Sequence, residues 1–419
     1  MTISIVALTA ADQQRMFAVD QAAFFFDPSW HRIEVSTGGL DWARTFGACA
    51  QGGEELAGVY TSFDMTLSVP GPLDALAPVP MAGLSWVSVH PDQRRRGVLR
   101  EMISHHFAQL HEQGCALSGL LAAEVGIYGR FGYAISSVGT ELTLQRATVF
   151  TAPSLDDRAA GVTTRFTAAD SDDAARMVHD LHLRCAADTL GAVSRPEKMA
   201  RQLLVDLPLT RQGREPWQVL LALVEGEPAG YAVFSREGTW EKWLPKGTVT
   251  VREMAAADPA VLLALARRLV DFDLTSSIRI SGRASDDPLL WWAGGPRAMD
   301  VTTVDSLWLR LVDVDTALTA RGYSGPCDVV IDVADPLCPW NQRTWRLTAD
   351  SQGVATCVPT SEDADLRLPV QSLAAAYLGS RSIAAQAHQG LVTELTPGSM
   401  RALSRAMSRD RAPVGAIGF

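Results

Sequence analysis

Three consecutive arginines followed by a glycine are the residues of this sequence best suited to bind an anion. Arg94, Arg95 and Arg96 precede Gly97, and an amphipathic helix is predicted to begin at this point. Backbone N–H groups at a helix N-terminus lie at the positive end of the helix dipole, and glycine lets a phosphate approach closely. Guanidinium groups add fixed positive charge. The segment therefore predicts a pyrophosphate site; the alternative is a solvated basic cluster without a ligand.

The strand before this loop adds a second possible contribution. It is predicted over Leu84–Val89 and runs into His90 and Pro91. If it separates from its neighbour, its unpaired backbone groups can bond an amide-rich pantetheine arm. The basic loop resembles the acetyl-CoA signature of GNAT enzymes, Q/R-x-x-G-x-G/A, with Leu99 in place of the last glycine or alanine.

A second motif lies beyond the next predicted strand. It reads GIYGRFGY and begins at Gly126. Together with RRRGVLR it closely resembles the Eis (enhanced intracellular survival) family of actinobacterial N-acetyltransferases. The resemblance implies an α/β (α+β) fold: tandem GNAT folds with mixed sheets and flanking helices, and a C-terminal sterol-carrier-like α+β domain. We expect a catalytic GNAT domain over residues 1–150, a degenerate GNAT-like domain over 151–300 and the sterol-carrier-like domain over 301–419.

The resemblance also implies an acetyl-CoA site, formed by the strand, the basic loop and the residues after the following strand. The matching positions are Val87, Ser88, Val89, Arg95, Arg96, Gly97, Val98, Leu99, Arg100, Ala123 and Glu124. Ala123 stands where the family usually has serine, so a hydroxyl contact is lost.

Two further positions match the family's acid and base. Tyr128 corresponds to the general acid, and the carboxylate of the last residue, Phe419, to the general base. An attacking amine must lose a proton and a departing thiolate benefits from a nearby phenol, so both roles suit acyl transfer. Without the resemblance, the tyrosine would be a packing residue and the terminus a frayed one. Asp27 and Glu124 are internal candidates for the base or for amine binding.

The implied activity is acetyl transfer from acetyl-CoA to primary amines in a ternary complex. Aminoglycosides, polyamines and lysine side chains are the expected acceptors, and a homohexamer is the expected assembly. Gly418 stands where the family often has an acidic residue. The alternative function is a non-catalytic acyl-CoA-binding or lipid-binding module.

The order of predicted elements supports two related α/β segments and a third of different character. In the first, a helix over Arg96–Gln113 lies between strands Leu84–Val89 and Leu117–Ala123. In the second, a helix over Pro259–Asp271 lies between strands at Thr248 and Ser277, which suggests an internal duplication. The third alternates short strands between Leu307 and Leu368, followed by helices Val370–Leu378 and Pro397–Met407.

Composition narrows the class of protein further. The 419 residues carry a net charge of −10, which disfavours a nucleic-acid partner and favours cationic substrates. The six cysteines lack metal-ligand spacing, so we expect no metal site. No long apolar run or leader pattern appears, and we expect a soluble cytoplasmic protein without membrane contact.

Overall fold

The computed structural model describes residues 3–26, 37–50, 53, 55–208, 211–415 and 417–419. The chain forms two compact units. The first contains Met1–Ser136, Leu307–Asp410 and Gly418–Phe419, and the second contains Ser137–Ser306 and Arg411–Ile417. Among the described residues, no helix is both long and apolar enough to span a membrane.

The N-terminal stretch alternates strands and helices. Its elements are β1 (Ile3–Ala7), α1 (Gln13–Phe24), β2 (Thr45–Ala50), β3 (Leu56–Pro70), β4 (Leu76–Val89), α2 (Val98–Gln113), β5 (Leu117–Leu121), α3 (Val125–Tyr128) and β6 (Ala134–Ile135), with short 3-10 turns at Ala10–Asp12, Trp42–Arg44, Pro72–Asp74, Pro91–Gln93 and Gly129–Phe131.

The middle stretch repeats this alternation. Its elements are β7 (Val138–Gln145), α4 (Asp156–Ala160), β8 (Thr163–Ala168), α5 (Asp172–Ala187), α6 (Glu197–Leu204), β9 (Gln218–Val224), β10 (Glu227–Glu237), β11 (Trp240–Glu241), β12 (Leu244–Pro245), β13 (Gly247–Ala256), α7 (Pro259–Val270), β14 (Thr275–Arg283), α8 (Pro288–Trp292), a 3-10 turn at Pro296–Ala298 and β15 (Asp300–Asp305).

The C-terminal stretch has shorter strands. Its elements are β16 (Leu307–Leu311), α9 (Val314–Ala320), β17 (Cys327–Ala334), β18 (Thr344–Ala349), β19 (Ala355–Pro359), β20 (Leu366–Pro369), α10 (Val370–Ala376), α11 (Ile383–His388), β21 (Thr393–Glu394) and α12 (Ser399–Met407).

The first unit contains a seven-stranded sheet in the order β1-β2-β3-β4-β5-β16-β6. Its neighbours are antiparallel except for the parallel pair β4 and β5. The connection between these two strands is α2, whose buried stripe is Val98, Met102, Ile103, His106, Phe107 and Leu110. This spacing of three and four residues is the helical pattern predicted from the sequence, and it holds the start of α2 against the sheet.

The sheet of the second unit has the order β15-β7-β14-β13-β10-β9-β8. Its parallel pair is β13 and β14, connected by α7, so β13-α7-β14 repeats β4-α2-β5. The predicted duplication is therefore confirmed.

One strand in each sheet comes from a distant part of the chain. β16 lies between β5 and β6, whereas β7 occupies the corresponding place between β14 and β15. The boundaries expected at residues 150 and 300 place β7 with the first segment and β16 with the third. The division at those residues stays a prediction, and the sheet pairing runs across both of them.

The remaining sheet of the first unit is β19-β18-β17-β20-β21, with α9 to α12 beside it. Arg321 is buried in this α+β part. Its guanidinium donates to the carbonyl oxygens of Ala376 and Met407 at 3.2 and 2.9 Å, which are the last residues of α10 and α12. A cation therefore satisfies the negative ends of two helices at once.

Candidate active site

The parallel strands β4 and β5 stay paired for two residues and then separate. Ala82 pairs with Ser118 and Gly83 with Gly119. On its other edge, β5 pairs with β16 along its whole length. In the described part of the chain, no strand covers the edge of β4 that faces β5 from Leu84 to Val89. Backbone N–H and C=O groups require partners. The gap can therefore accept the amides of an extended ligand.

A β-bulge bends β4 where it leaves β5. Trp86 has a left-handed φ of 54°, and the register against β3 shifts at the same point. Bulges re-aim the strand that carries them. The predicted coenzyme residues Val87–Val89 follow the bulge. The buried hydroxyl of Ser88 donates to Asp20 of α1, which fixes this side chain against the helix.

The basic loop ends in a helix whose N-terminus carries no side-chain cap. Arg95 and Gly97 both have left-handed φ values, 62° and 88°, and Gly97 directly precedes α2. The first turn of α2 is anchored by Val98, which is buried, and Leu99, which is half-buried. The free N–H groups of this turn can bond an anion.

The positive charge of the loop remains exposed to solvent. Arg95, Arg96 and Arg100 are exposed, and no carboxylate among the described residues forms an ion pair with them. Arg94 donates to the carbonyl oxygen of Ala23 at 3.5 Å. The guanidinium groups of Arg95, Arg96 and Arg100 are thus available to phosphate oxygens.

The corresponding place in the second unit is chemically different. There β13 pairs with β14 from Gly247 to Val251 and then separates in the same way. Beyond that point the buried carboxylate of Glu253 accepts two hydrogen bonds from Arg195, at 2.6 and 2.8 Å, and one from the Tyr231 hydroxyl. Burial opposes the charged carboxylate, but Arg195 outweighs it and lowers the pKa of Glu253. A buried ion pair therefore lies beyond the fork, the point at which the two parallel strands of a sheet separate.

The helix that follows in the second unit is closed to anions as well. The Asp258 carboxylate accepts the backbone N–H of Ala260 at 2.7 Å at the start of α7. This cap satisfies the N–H group with a negative charge. Of the two forks in the described part of the chain, the first combines a free helix N-terminus with arginines that form no ion pair, and the second does not.

Tyr128 lies at the end of α3, just beyond β5. Its ring is buried and meets the Tyr133 ring edge-on at 5.9 Å, and the Tyr133 hydroxyl is hydrogen-bonded to Ser118 at 2.7 Å. Burial and the charge of Glu124 raise the pKa of Tyr128 to about 12. At neutral pH the phenol is therefore protonated and can donate a hydrogen bond or a proton.

The C-terminal residue packs against β4. A terminal oxygen of Phe419 accepts a hydrogen bond from the Ser85 hydroxyl at 3.1 Å. The phenyl ring lies over Gly83, where an added Cβ would come within 3.0 Å of two ring carbons. Gly83 is therefore needed for this close approach.

The contacts of Tyr128 and Phe419 lead to neighbouring residues of β4 and β5. Tyr128 contacts Tyr133, whose hydroxyl bonds Ser118 on the α2 face of the sheet, whereas Phe419 contacts Gly83 and Ser85 of β4 on the opposite face. Ala82–Ser118 and Gly83–Gly119 are the last pairs before the strands separate. The contacts of the phenol and of the terminal carboxylate thus lead to adjacent strand pairs at the fork of β4 and β5, from opposite faces of the sheet.

The other predicted positions are distributed as follows. Ala123 and Glu124 are exposed between β5 and α3, whereas Asp27 lies outside the described residues.

Ser85 was missed by the sequence reasoning. Gly83 and Ser85 lie on the same face of one strand, and this pair of small residues was the available sign that another group packs closely there. Within the described residues, no group of three or more His, Cys, Asp or Glu is placed to hold a metal ion.

Family models match three consecutive parts of the chain. An acetyltransferase (GNAT) domain matches residues 4–136, a second acetyltransferase (GNAT) domain matches 191–311, and a sterol carrier protein domain matches 314–415. The predicted fold class, with two GNAT folds and a sterol-carrier-like domain, is confirmed.

Relatives cover most or all of the chain. An uncharacterized N-acetyltransferase of Streptomyces avermitilis is 37% identical over 88% of both chains. N-acetyltransferase Eis of Mycobacterium tuberculosis is 29% identical over 98% of both. Among solved structures, Eis1 from Mycobacterium abscessus covers 100% of both chains with a TM-score of 0.83 and 28% identity. A GCN5-related N-acetyltransferase from Anabaena variabilis, 17% identical with a TM-score of 0.83, shares the fold.

The contrast between the two forks gives a binding prediction. We expect one CoA per chain, and we expect the double substitution Arg95→Ala/Arg96→Ala to weaken the Kd about tenfold, because charge-assisted bonds to phosphate are lost. Isothermal titration calorimetry measures both quantities. Arg201→Ala, which removes an exposed arginine of the second unit, is the matched control. An unchanged Kd in the double variant, or two CoA per chain, would contradict this site.

Proposed function

Because the chain belongs to the Eis-like family of GNAT N-acetyltransferases, we propose that it transfers the acetyl group of acetyl-CoA to a primary amine. The observation that carries the proposal is the seat of the Phe419 carboxylate on Ser85 and Gly83, beside the fork of β4 and β5. A carboxylate at this point can accept a proton from an amine that approaches the thioester.

The proposed coenzyme path follows the free edge of β4. The pantetheine amides bond to the backbone between Leu84 and Val89, and the pyrophosphate lies on the N-terminus of α2 beside Arg95 and Arg96. Both features are supported by the unpaired strand edge and the uncapped helix. Ala123 and Glu124 contribute further contacts from the end of β5.

The proposed reaction is direct attack in a ternary complex. The neutral amine nitrogen forms a bond to the thioester carbonyl carbon, Phe419 takes the proton that this nitrogen loses as it attacks, and the C–S bond then breaks. Tyr128 donates its proton to the departing thiolate of CoA. A phenol with a pKa of about 12 is fully protonated when the substrate binds, which supports this role.

The proposed acceptors are aminoglycosides, polyamines and lysine side chains. The net charge of −10 supports cationic acceptors, since an acidic surface attracts them. We extend the proposal to Asp27 as an amine-binding residue, to a homohexamer and to a cytoplasmic location. Family membership favours the enzyme over the non-catalytic lipid-binding or acyl-CoA-binding alternative.

Turnover with a panel of amines tests the activity directly. We expect thiol release from acetyl-CoA with at least one aminoglycoside or polyamine, because a base and an acid flank the fork. Release is followed with a thiol reagent, and mixtures without amine are the control. Absence of turnover with every amine in the panel would refute the proposed activity.

The C-terminal carboxylate has its own test. Deleting Phe419, or adding one glycine after it, should lower kcat at least about 100-fold because general base catalysis is lost. The Kd for acetyl-CoA should stay unchanged in both. Phe419→Leu keeps a terminal carboxylate and should lose much less activity. Wild-type kcat in the extended protein would remove the carboxylate from the mechanism.

The raised pKa of Tyr128 predicts the alkaline behaviour of the enzyme. With a pKa of about 12 the phenol stays protonated through pH 10, so kcat should not fall between pH 7 and 10 through its ionisation. An ordinary tyrosine would be half ionised near pH 10. Tyr128→Phe should lower kcat about 100-fold at every pH. Loss of half of the wild-type kcat near pH 10 would show that the acid titrates normally.

A further inference from the structure

The position of Tyr128 depends on the backbone that follows it. Among the described residues its hydroxyl has no hydrogen-bond partner; its ring is buried in an apolar cluster, where it meets the edge of the Tyr133 ring. The 3-10 turn Gly129–Phe131 begins at the next residue. The position of this turn therefore helps to set the direction in which the buried ring presents its hydroxyl.

The sterol-carrier-like part of the chain holds that turn through Gln371. Gln371 is half-buried in the first turn of α10, and its side-chain amide donates to the carbonyl oxygen of Gly129 at 2.9 Å. The same oxygen accepts the backbone N–H of Gly132 at 3.0 Å, which closes the 3-10 turn. One carbonyl group thus links the turn to a residue 242 positions away.

The same helix also fixes the far end of the segment that follows Tyr128, residues 129–136. The hydroxyl of Ser136 donates to the carbonyl oxygen of Ala374 at 2.6 Å, and the hydroxyl of Ser380 donates to the carbonyl oxygen of Ser136 at 3.0 Å. Helix α10 packs against β6 and β16 between these contacts. Both ends of the segment after Tyr128 are therefore attached to one helix.

The middle of the segment rests on a buried ion pair. Gly132 has a φ of 88°, and an added Cβ there would lie 2.8 Å from the guanidinium carbon of Arg310. Arg310 is fully buried and donates to both carboxylate oxygens of Asp335, at 2.6 and 2.8 Å. Breaking a buried pair is costly, so Arg310 is held in place beside Gly132. In the segment after Tyr128, the first side-chain hydrogen bond is the one from Gln371 to Gly129.

We propose that Gln371 is a positioning residue for the general acid and that the sterol-carrier-like domain thereby orients Tyr128 from outside the GNAT fold. The inference rests on the proposed function of Tyr128. A misplacement of about 1 Å costs up to about 100-fold in rate, so one hydrogen bond next to the acid is sufficient to matter.

A double-mutant cycle in the full-length protein tests this assignment. Gln371→Leu should lower kcat about tenfold, while the KM for amine and the Kd for acetyl-CoA change less than about twofold. In the Tyr128→Phe background Gln371→Leu should cause no further loss, because the residue acts only through the phenol. Gln371→Glu keeps the size of the side chain but removes the amide donor, and it should reproduce the loss at neutral pH if Gln371→Leu folds poorly.

The matched control is Gln386→Leu. Gln386 is a buried glutamine of the same domain whose amide donates to the carbonyl oxygen of Ser372 of α10 at 3.1 Å and not to the turn after Tyr128. It should reduce the melting temperature at least as much as Gln371→Leu but leave kcat unchanged. An equal loss from Gln371→Leu in the wild-type and Tyr128→Phe backgrounds would overturn the inference while leaving the acid intact. Wild-type kcat in Tyr128→Phe would overturn the acid itself, and the inference with it.

Discussion

The separation of β4 from β5 after the pair Gly83–Gly119 is the constraint on which the proposed site depends. It leaves an edge of backbone groups without a partner strand, and in the interior of a protein such groups require one. The bulge at Trp86 directs the free edge, and the connecting helix α2 begins with an uncapped turn at Gly97. Strand edge and helix N-terminus together are complementary to the two parts of a coenzyme, an amide-rich arm and a pyrophosphate.

The second unit keeps the geometry of this fork without its chemistry. Its strands β13 and β14 separate in the same way, but the buried pair of Arg195 and Glu253 and the cap at Asp258 supply internally what a ligand would otherwise provide. The sterol-carrier-like part supports the first fork instead. Its terminus supplies the carboxylate on Ser85, and its helix α10 holds the turn after Tyr128. In the proposed mechanism the second GNAT fold thus supplies structure, whereas the third part of the chain contributes to the chemistry.

Local pattern predicted α2 and the duplicated strand-helix-strand unit, because apolar spacing and a glycine stop are short-range signals. The predicted strand Leu84–Val89 is shorter than β4, which begins at Leu76, because Pro78 and Pro80 normally argue against a strand. Pro78 and Pro80 lie two residues apart in β4, so their missing N–H groups fall on the same edge of the strand. Both precede the short pairing of β4 with β5. The exchange of β7 and β16 could not be predicted, because pairing between distant strands leaves no local trace.

The candidate site, too, was predictable where its residues are contiguous in sequence and not where distant residues meet. The basic loop and Tyr128 are contiguous motifs and were recognised by resemblance, whereas Ser85 and Gln371 take part through contacts across 334 and 242 residues. A crystal structure of the full chain with CoA and an aminoglycoside tests the proposed site most directly. We expect one CoA along the free edge of β4, with its sulfur within hydrogen-bonding distance of the Tyr128 hydroxyl and an amine beside the Phe419 carboxylate. CoA bound at the second fork, or sulfur remote from Tyr128, would contradict it.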